Sequence, residues 1–342
     1  MLVRVPDYFE KFQCLAGACP HTCCAKWEVV IDEETARRYG ETAGPLGEKL
    51  RAVLQCDEDG DFCFPLDGGR CPFLDGDGLC QIHRQLGQEA TSITCREHPR
   101  FEEDYGLFRE ITLSASCPAA NELLLGSQEP LTFHTVETAE PGEEGDEWLT
   151  WMLPLRERLL SLLAERDLPV RQRLRNFLDL ACEVQLCIED ERLGDISELI
   201  NRWQPGGGAA EKTGEGLFPE SLRFLGTLEA LDADWRELLV KAEEAEQVPV
   251  PETLLERIAV YFAFRYLLKA VNDGDLLSRA QLCVFAVLTV GRLAAVCGLA
   301  EALRRFSCEI EHSQENLDLL LEAFWQSETF SLERFQNELS PM

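Results

Sequence analysis

The sequence predicts a mainly α-helical protein in which an irregular, cysteine-rich N-terminal region of short helices and loops precedes an α-helical domain. Three observations carry that expectation. Ten of the fifteen cysteines lie before residue 118. The same region is dense in turn signals: DEDGD at 57–61, DGG at 67–69 and DGDG at 75–78. From Trp148 onward, apolar residues recur at helical spacing.

Within residues 1–125, Asp32 reads as the N-cap of a helix over 33–39. Pro45 suits the first turn of a second helix, 45–54. Few strands are expected there. Residues 137–147, ETAEPGEEGDE, hold six carboxylates with Pro and Gly, so 126–147 reads as an acidic linker. The domain over 148–342 begins with a leucine stripe at 153–166 and a second amphipathic helix at 168–190. WQPGGGAAEKTGEG, 203–216, reads as a break, followed by helices over 218–245, 251–271, 275–296, 314–326 and 331–339. The span 275–296 is apolar almost all round, the mark of a buried central helix. No internal repeat is present.

Composition narrows the function classes. A chain of 342 residues with 45% apolar residues is long enough for two folded domains. The formal charge of −30 repels nucleic acid, whose binding needs clustered Lys and Arg. It steers basic partners only weakly, through long-range fields. MLVRVPDYFEKF has no apolar signal core, and the most apolar stretch, Leu282 to Val290, ends between Gln281 and Arg292. The expectation is a cytoplasmic protein without membrane insertion.

In a reducing compartment, dense cysteines read as metal-binding or catalytic before they read as disulfides. The run is Cys14-x4-Cys19-x3-Cys23-Cys24, then Cys71-x8-Cys80-x14-Cys95-x21-Cys117. Thiolates ligate both zinc and iron–sulfur clusters. A zinc ribbon would show two CxxC knuckles, and none is present. Ligands drawn from one tight loop and several separated segments suit a cluster, which is larger than one ion. Adjacent Cys23 and Cys24 would form a strained ring if bridged. The radical-type CxxxCxxC triplet fails, because Lys26 stands where its third cysteine would be. Cys182, Cys187, Cys283, Cys297 and Cys308 read as small apolar residues of the helical part. His83 and His98 sit near Cys80 and Cys95; Arg96 and Arg100 are the better partners for an anionic cluster.

CPHTCCAKWEVVIDEETARRY (19–39), RCPFLDGDGLCQIHRQLGQEATSITCREHPR (70–100) and LSASCPAANELLL (113–125) together resemble the bacterial flagellin lysine-N-methylases. In that family a CPxxCCxxWxVxID-like opening precedes CxFLxxxxLCxI, TCRxxPR and SCPxAxxLLL segments, and all four occur here in order. The helical part agrees only around YFAFRYLLKAV. A broader CxxCxxCC-type iron- or zinc-chelating group shares the CC…CPFL…LC…CR core. The resemblance implies that four of Cys14, Cys19, Cys23, Cys24, Cys71, Cys80, Cys95 and Cys117 hold a [4Fe–4S] cluster, with zinc as the alternative. It implies methyl transfer from S-adenosylmethionine to lysine side chains of flagellin. Cys56 and Cys63 lie outside the shared pattern.

Such a transfer needs a neutral amine, an in-line methyl donor and a slot that strips water from the ammonium. Aromatic walls bind sulfonium and ammonium by cation–π contact. Trp27, Tyr261 and Tyr266 are the candidates for cofactor binding, among a wider set of Tyr39, Tyr105, Phe262 and Phe264. Core packing is the competing reading of each. No donor-binding glycine loop follows a strand: PGGGAA at 205–210 lacks that context. No catalytic triad is legible. The rival reading is a non-enzymatic iron–sulfur or zinc protein that senses redox state, with the helical part as a docking surface.

Overall fold

The computed structural model describes residues 1–25, 29–56, 60–206 and 214–340. The chain divides into two compact units that do not follow chain order. The larger takes in 1–9, 102–112 and 122–342, and the smaller 10–101 and 113–121.

The strands among the described residues are β1 (Leu2–Pro6), β2 (Val29–Ile31), β3 (Gln55–Cys56), β4 (Phe62–Phe64), β5 (Arg100–Asp104), β6 (Phe108–Leu113) and β7 (Phe133–Glu137). They form two small sheets, ordered β5-β6-β1-β7 and β2-β4-β3. Segments of two to six residues are too short for the period-two alternation that marks a strand in sequence. In the four-stranded sheet β1 runs parallel to β6, with Leu2 opposite Phe108, and antiparallel to β7, with Leu2 opposite Glu137. The pairing explains why the first residues join the helical part. The stretch 126–147 carries β7 and is then fastened to the β5–β6 turn. Glu143 N–H donates to Gly106 carbonyl at 2.9 Å, and Arg109 reaches Glu140 at 2.8 Å. Gly106 has φ +76°, and a Cβ there would lie 2.5 Å from the Glu144 carbonyl oxygen, so glycine is required.

The helix Leu276–Cys297 is the axis of the larger unit. It packs on Val170–Glu189, Glu252–Tyr266 and Leu299–Phe306. It is long and apolar enough to cross a membrane by composition, yet 67% of its most apolar window is buried inside the fold, as in a core helix. Phe285 meets Phe306, Phe324 and Phe330 edge-on at centroid distances of 6.3, 5.9 and 5.4 Å. The expected helices stand at Glu33–Glu41, Gly44–Val53, Leu149–Leu163, Val170–Glu189, Glu252–Tyr266, Gln314–Gln326 and Leu332–Leu339. The span 218–245 is two helices, Glu220–Leu225 and Trp235–Glu244. The link between them has a partner that sequence does not show: buried Glu309 accepts the Leu231 and Asp232 amides, each at 2.8 Å. Part of the expected break at 203–216 lies outside the described residues.

Buried ion pairs tie the larger unit together. Arg156, fully buried, places two nitrogens on the two Glu110 oxygens at 2.5 and 2.6 Å and stacks 4.8 Å over the Phe264 ring. Glu256 takes Arg166 at 2.9 Å and Arg173 at 2.7 Å. Removing one partner of such a pair strands a charge in low dielectric, which costs more than the pair contributes. Arg156→Met is expected to lower the stability of the full chain by about 3–5 kcal/mol in urea unfolding. The double variant with Glu110→Leu should recover part of the loss. A single-variant cost under about 1 kcal/mol would place the pair with surface salt bridges.

Candidate functional site: a thiol-rich, amide-lined unit

The smaller unit has its own core of Val29, Ile31, Tyr39, Leu46, Leu50, Phe64, Phe73 and Ile82. Tyr39 stacks on Phe64 at 5.8 Å, and Phe64 leans on Phe73 at 4.7 Å. Cys71 and Cys80 lie half-buried against this core. Lys49 locks the segment between them: its ammonium donates to the Pro72 carbonyl at 2.7 Å and sits 4.8 Å over the Phe73 ring.

The backbone draws four cysteine-bearing segments together. Cys71 N–H donates to the Cys24 carbonyl at 2.8 Å, and Ala25 pairs with Arg70 in an isolated antiparallel bridge. Leu74 pairs with Cys80 in the same way, and Gln81 N–H donates to the Phe73 carbonyl at 2.8 Å. Asp32 performs two tasks. One oxygen caps the helix Glu33–Glu41 by accepting Thr35 N–H at 2.9 Å; the other accepts Ile93 N–H at 2.9 Å and ties the Cys95 segment to the end of β2. Ser92 Oγ caps that segment by accepting Cys95 N–H at 3.2 Å. The loop carrying Cys14 and Cys19 presses on the turn at 75–79: a Cβ on Gly17 would meet the Asp77 carbonyl oxygen at 2.7 Å.

The sulfurs are lined by amides in a recurring pattern. Cys71 receives the N–H groups of Phe73 and Leu74, Cys80 those of Ile82 and His83, and Cys117 those of Ala119 and Ala120. Ala16 N–H lies 3.4 Å from Cys14 Sγ. Each of these four cysteines thus opens a turn whose next amides point back at its sulfur. Donors of this kind favour the anionic form of sulfur and tune a bound metal centre.

Burial works the other way. It pushes the thiols of Cys71 and Cys95 up to about 11, with the neighbouring cysteines adding to the rise, and also raises those of Cys80 and Cys117. The Cys23 thiol, hydrogen-bonded to Cys24 and buried, is held strongly protonated. Cys24, accepting from Cys23 and Thr22 and facing Arg70, is lowered to about 7 despite its burial. None of the fifteen cysteines is in a disulfide, and among the described residues no three His, Cys, Asp or Glu side chains stand as a group that could hold a single ion. Thiols with amide donors aimed at them, and Arg70 beside Cys24, are donor types that a thiophilic metal centre uses.

The other residues singled out from sequence fall as follows. Trp27 and Lys26 lie outside the described residues. Tyr261 and Tyr266 belong to the larger unit and are 2% exposed. Their hydroxyls both donate to Glu311 at 3.1 Å, beside an Arg265–Glu311 ion pair of 2.8 Å. The two rings are therefore built into a buried polar network. Arg96 donates to the Thr91 carbonyl at 2.6 Å, and Arg100 lies 5.5 Å over the Phe12 ring, so the structure shows each in a contact other than the expected cluster pairing. Burial holds the His98 imidazole down to about 4, so it is neutral at physiological pH. Arg70, Thr22 and Ser92 were not singled out from sequence; Ser92 has a signal as the capping serine ahead of ITCRE, and Arg70 as the residue before Cys71. In the larger unit, a cavity of about 600 Å³ is walled by Asp104, Glu140, Glu143, Glu144 and Asp146, with Arg109 among them.

Fold and site together define a mainly α-helical protein with a thiol-rich, amide-lined unit. Among curated proteins it is similar to the lysine-N-methylase of Salmonella typhimurium, 28% identical over 135 residues, which is 38% of this chain and 34% of that protein. The lysine-N-methylase of Salmonella choleraesuis is 28% identical over 141 residues, 38% of this chain and 34% of its own length. The flagellar biosynthetic protein FliU of Salmonella muenchen is 28% identical over 135 residues, 38% of this chain and 80% of its length. These relatives support the resemblance to the flagellin lysine-N-methylase family that the cysteine motifs carry. The chain spans about a third of the length of the two lysine-N-methylases it matches. No family model matches the chain, and no solved structure matches it.

Asp32 offers a direct test of how the site is tied together. Burial would raise its carboxyl, but the Ile93 and Thr35 amides outweigh that and hold it below the usual range. A depressed carboxyl stabilises the fold fully above the unfolded value of about 3.9, and the contribution disappears as pH falls through the folded value. Asp32→Ala should speed hydrogen exchange at the Thr35 and Ile93 amides by at least about fivefold, for a loss near 1 kcal/mol. Asp32→Asn should remove this part of the acid dependence. Unchanged exchange at Ile93 would show that the tie carries no load.

Proposed function

We propose that the protein acts as a lysine N-methylase. In this reading it transfers a methyl group from S-adenosylmethionine to lysine side chains of flagellin, and a cysteine-held [4Fe–4S] cluster is part of it. The observation that carries the reading is the ordered set of cysteine motifs between Cys14 and Cys117, together with relatives named lysine-N-methylase and FliU. The sulfonium–methyl bond breaks as the bond to the lysine Nζ forms, and the ammonium proton leaves beforehand to water or a base. S-adenosylhomocysteine is the other product. Four of the eight motif cysteines would hold the cluster, which when bound supplies redox or structural chemistry to the site. The chain's own contribution is clearer: amide donors that tune the sulfurs, and a core that fixes the segments bearing them. The acidic surface is compatible with a lysine-bearing partner but does not select one.

A second reading, a non-enzymatic metal or redox protein, is favoured by one observation. The thiol-rich unit has its own core, and no glycine-rich donor loop accompanies it in the sequence.

Protein purified under argon should be brown and contain about four irons per chain with matching sulfide. Incubated with labelled S-adenosylmethionine and its cognate flagellin, it should label flagellin lysines. A colourless zinc protein would remove the cluster. A cluster-replete protein that leaves flagellin unlabelled would favour the second reading.

A further inference from the structure

We infer that the acidic cavity of the larger unit is the docking site for a lysine-bearing segment of a protein partner. The inference deepens the reading above and rests on it for the choice of a lysine-bearing partner, and not for methyl transfer.

The cavity, of about 600 Å³, has the size of sites that take a ligand, about 300–1,000 Å³. Its walls are the β5–β6 turn, the segment 140–149 and the chain at 271–272, all within the larger unit. Five carboxylates line it, against one arginine and the Met1 ammonium. Both cations already have partners. Arg109 pairs with Asp104 at 2.9 Å and Glu140 at 2.8 Å, and the Met1 ammonium donates to the Thr138 and Glu140 carbonyls. Among the described residues no Lys or Arg pairs with Glu143, Glu144 or Asp146. A cleft lined by one sign of charge focuses the field and concentrates cations of the opposite sign.

Tyr105 gives the cavity a polar contact that the fold leaves open. It lines the cavity, is 9% exposed, and among the described residues its hydroxyl has no hydrogen-bond partner. A buried hydroxyl is costly to leave unpaired, so a ligand that pairs with it gains from the contact. Burial, with Glu110 and Glu103 adding to it, holds the phenol well above its ordinary range, so the group is neutral and accepts an N–H. An ammonium has three donors on a flexible stem and can meet the hydroxyl and the carboxylates together. A single metal ion fits less well: among the described residues no three His, Cys, Asp or Glu side chains stand close enough to hold one.

The test measures binding of a fluorescent peptide, several lysines among alanines and serines, to the full chain by anisotropy, without S-adenosylmethionine. The peptide should bind, and its affinity should fall at least about fivefold between roughly 0.05 and 0.5 M NaCl. Acetylating its lysines removes the charge and should weaken it at least about tenfold. Glu143→Gln with Glu144→Gln should weaken binding at least about threefold, whereas Glu244→Gln with Glu246→Gln, an equal charge change outside the cavity, should stay within about 1.5-fold. Tyr105→Phe should weaken binding at least about twofold and leave the urea midpoint unchanged or higher, because the lost hydroxyl has no partner in the fold. In the unsubstituted chain the peptide should slow hydrogen exchange over 104–109 and 140–146, a readout that no misfolded variant can obscure. Absence of that protection would overturn the site. So would a wild-type chain that ignores the peptide, or a cavity pair that weakens binding no more than the control pair. A chain that binds through the cavity but transfers no methyl group leaves the site intact and refutes the methylase reading. Methyl transfer with peptide binding indifferent to the cavity variants does the reverse.

Discussion

The thiol-rich unit depends on one constraint: ionisable sulfurs held within reach of one another repel as soon as they ionise. Burial adds to the cost, and the thiols of Cys71 and Cys95 respond by moving up to about 11. A fold that gathers such groups needs compensation. Here the backbone supplies part of it, through paired amides aimed at Cys71, Cys80 and Cys117. Arg70 supplies another part at Cys24. The cationic centre proposed above would favour the thiolate form that burial disfavours.

The same logic explains the supports around the site. Segments that must converge without a large core need fixed anchors. Lys49, Asp32, Ser92 and the bridge at Leu74 and Cys80 act as those anchors. In the larger unit the corresponding work is done by buried ion pairs and the Glu311 network, where Tyr261, Tyr266, Arg265 and Ser307 converge on one carboxylate. A buried polar network of that kind helps to specify one packing arrangement. It also accounts for the aromatic residues near YFAFRYLLKAV without invoking a ligand.

Much of this was legible in the sequence. The Leu276–Cys297 helix announced itself by being apolar almost all round, and Asp32 by its capping position before Glu33. The eight cysteines were legible as one set, from spacing and motif. The ties between their segments were not, because the Cys71–Cys24 bond and the Leu74–Cys80 bridge follow no spacing rule. The short strands were not legible either: β1 finds β6 and β7 more than a hundred residues away. The split of 218–245 depends on Glu309, a partner distant in sequence.

X-ray absorption at the iron and zinc edges of anaerobically purified protein tests the central claim most directly. The account predicts iron in an all-sulfur first shell with a second shell of neighbouring iron, as a multi-iron cluster requires. Zinc with a single sulfur shell near ~2.3 Å and no metal neighbour would contradict it.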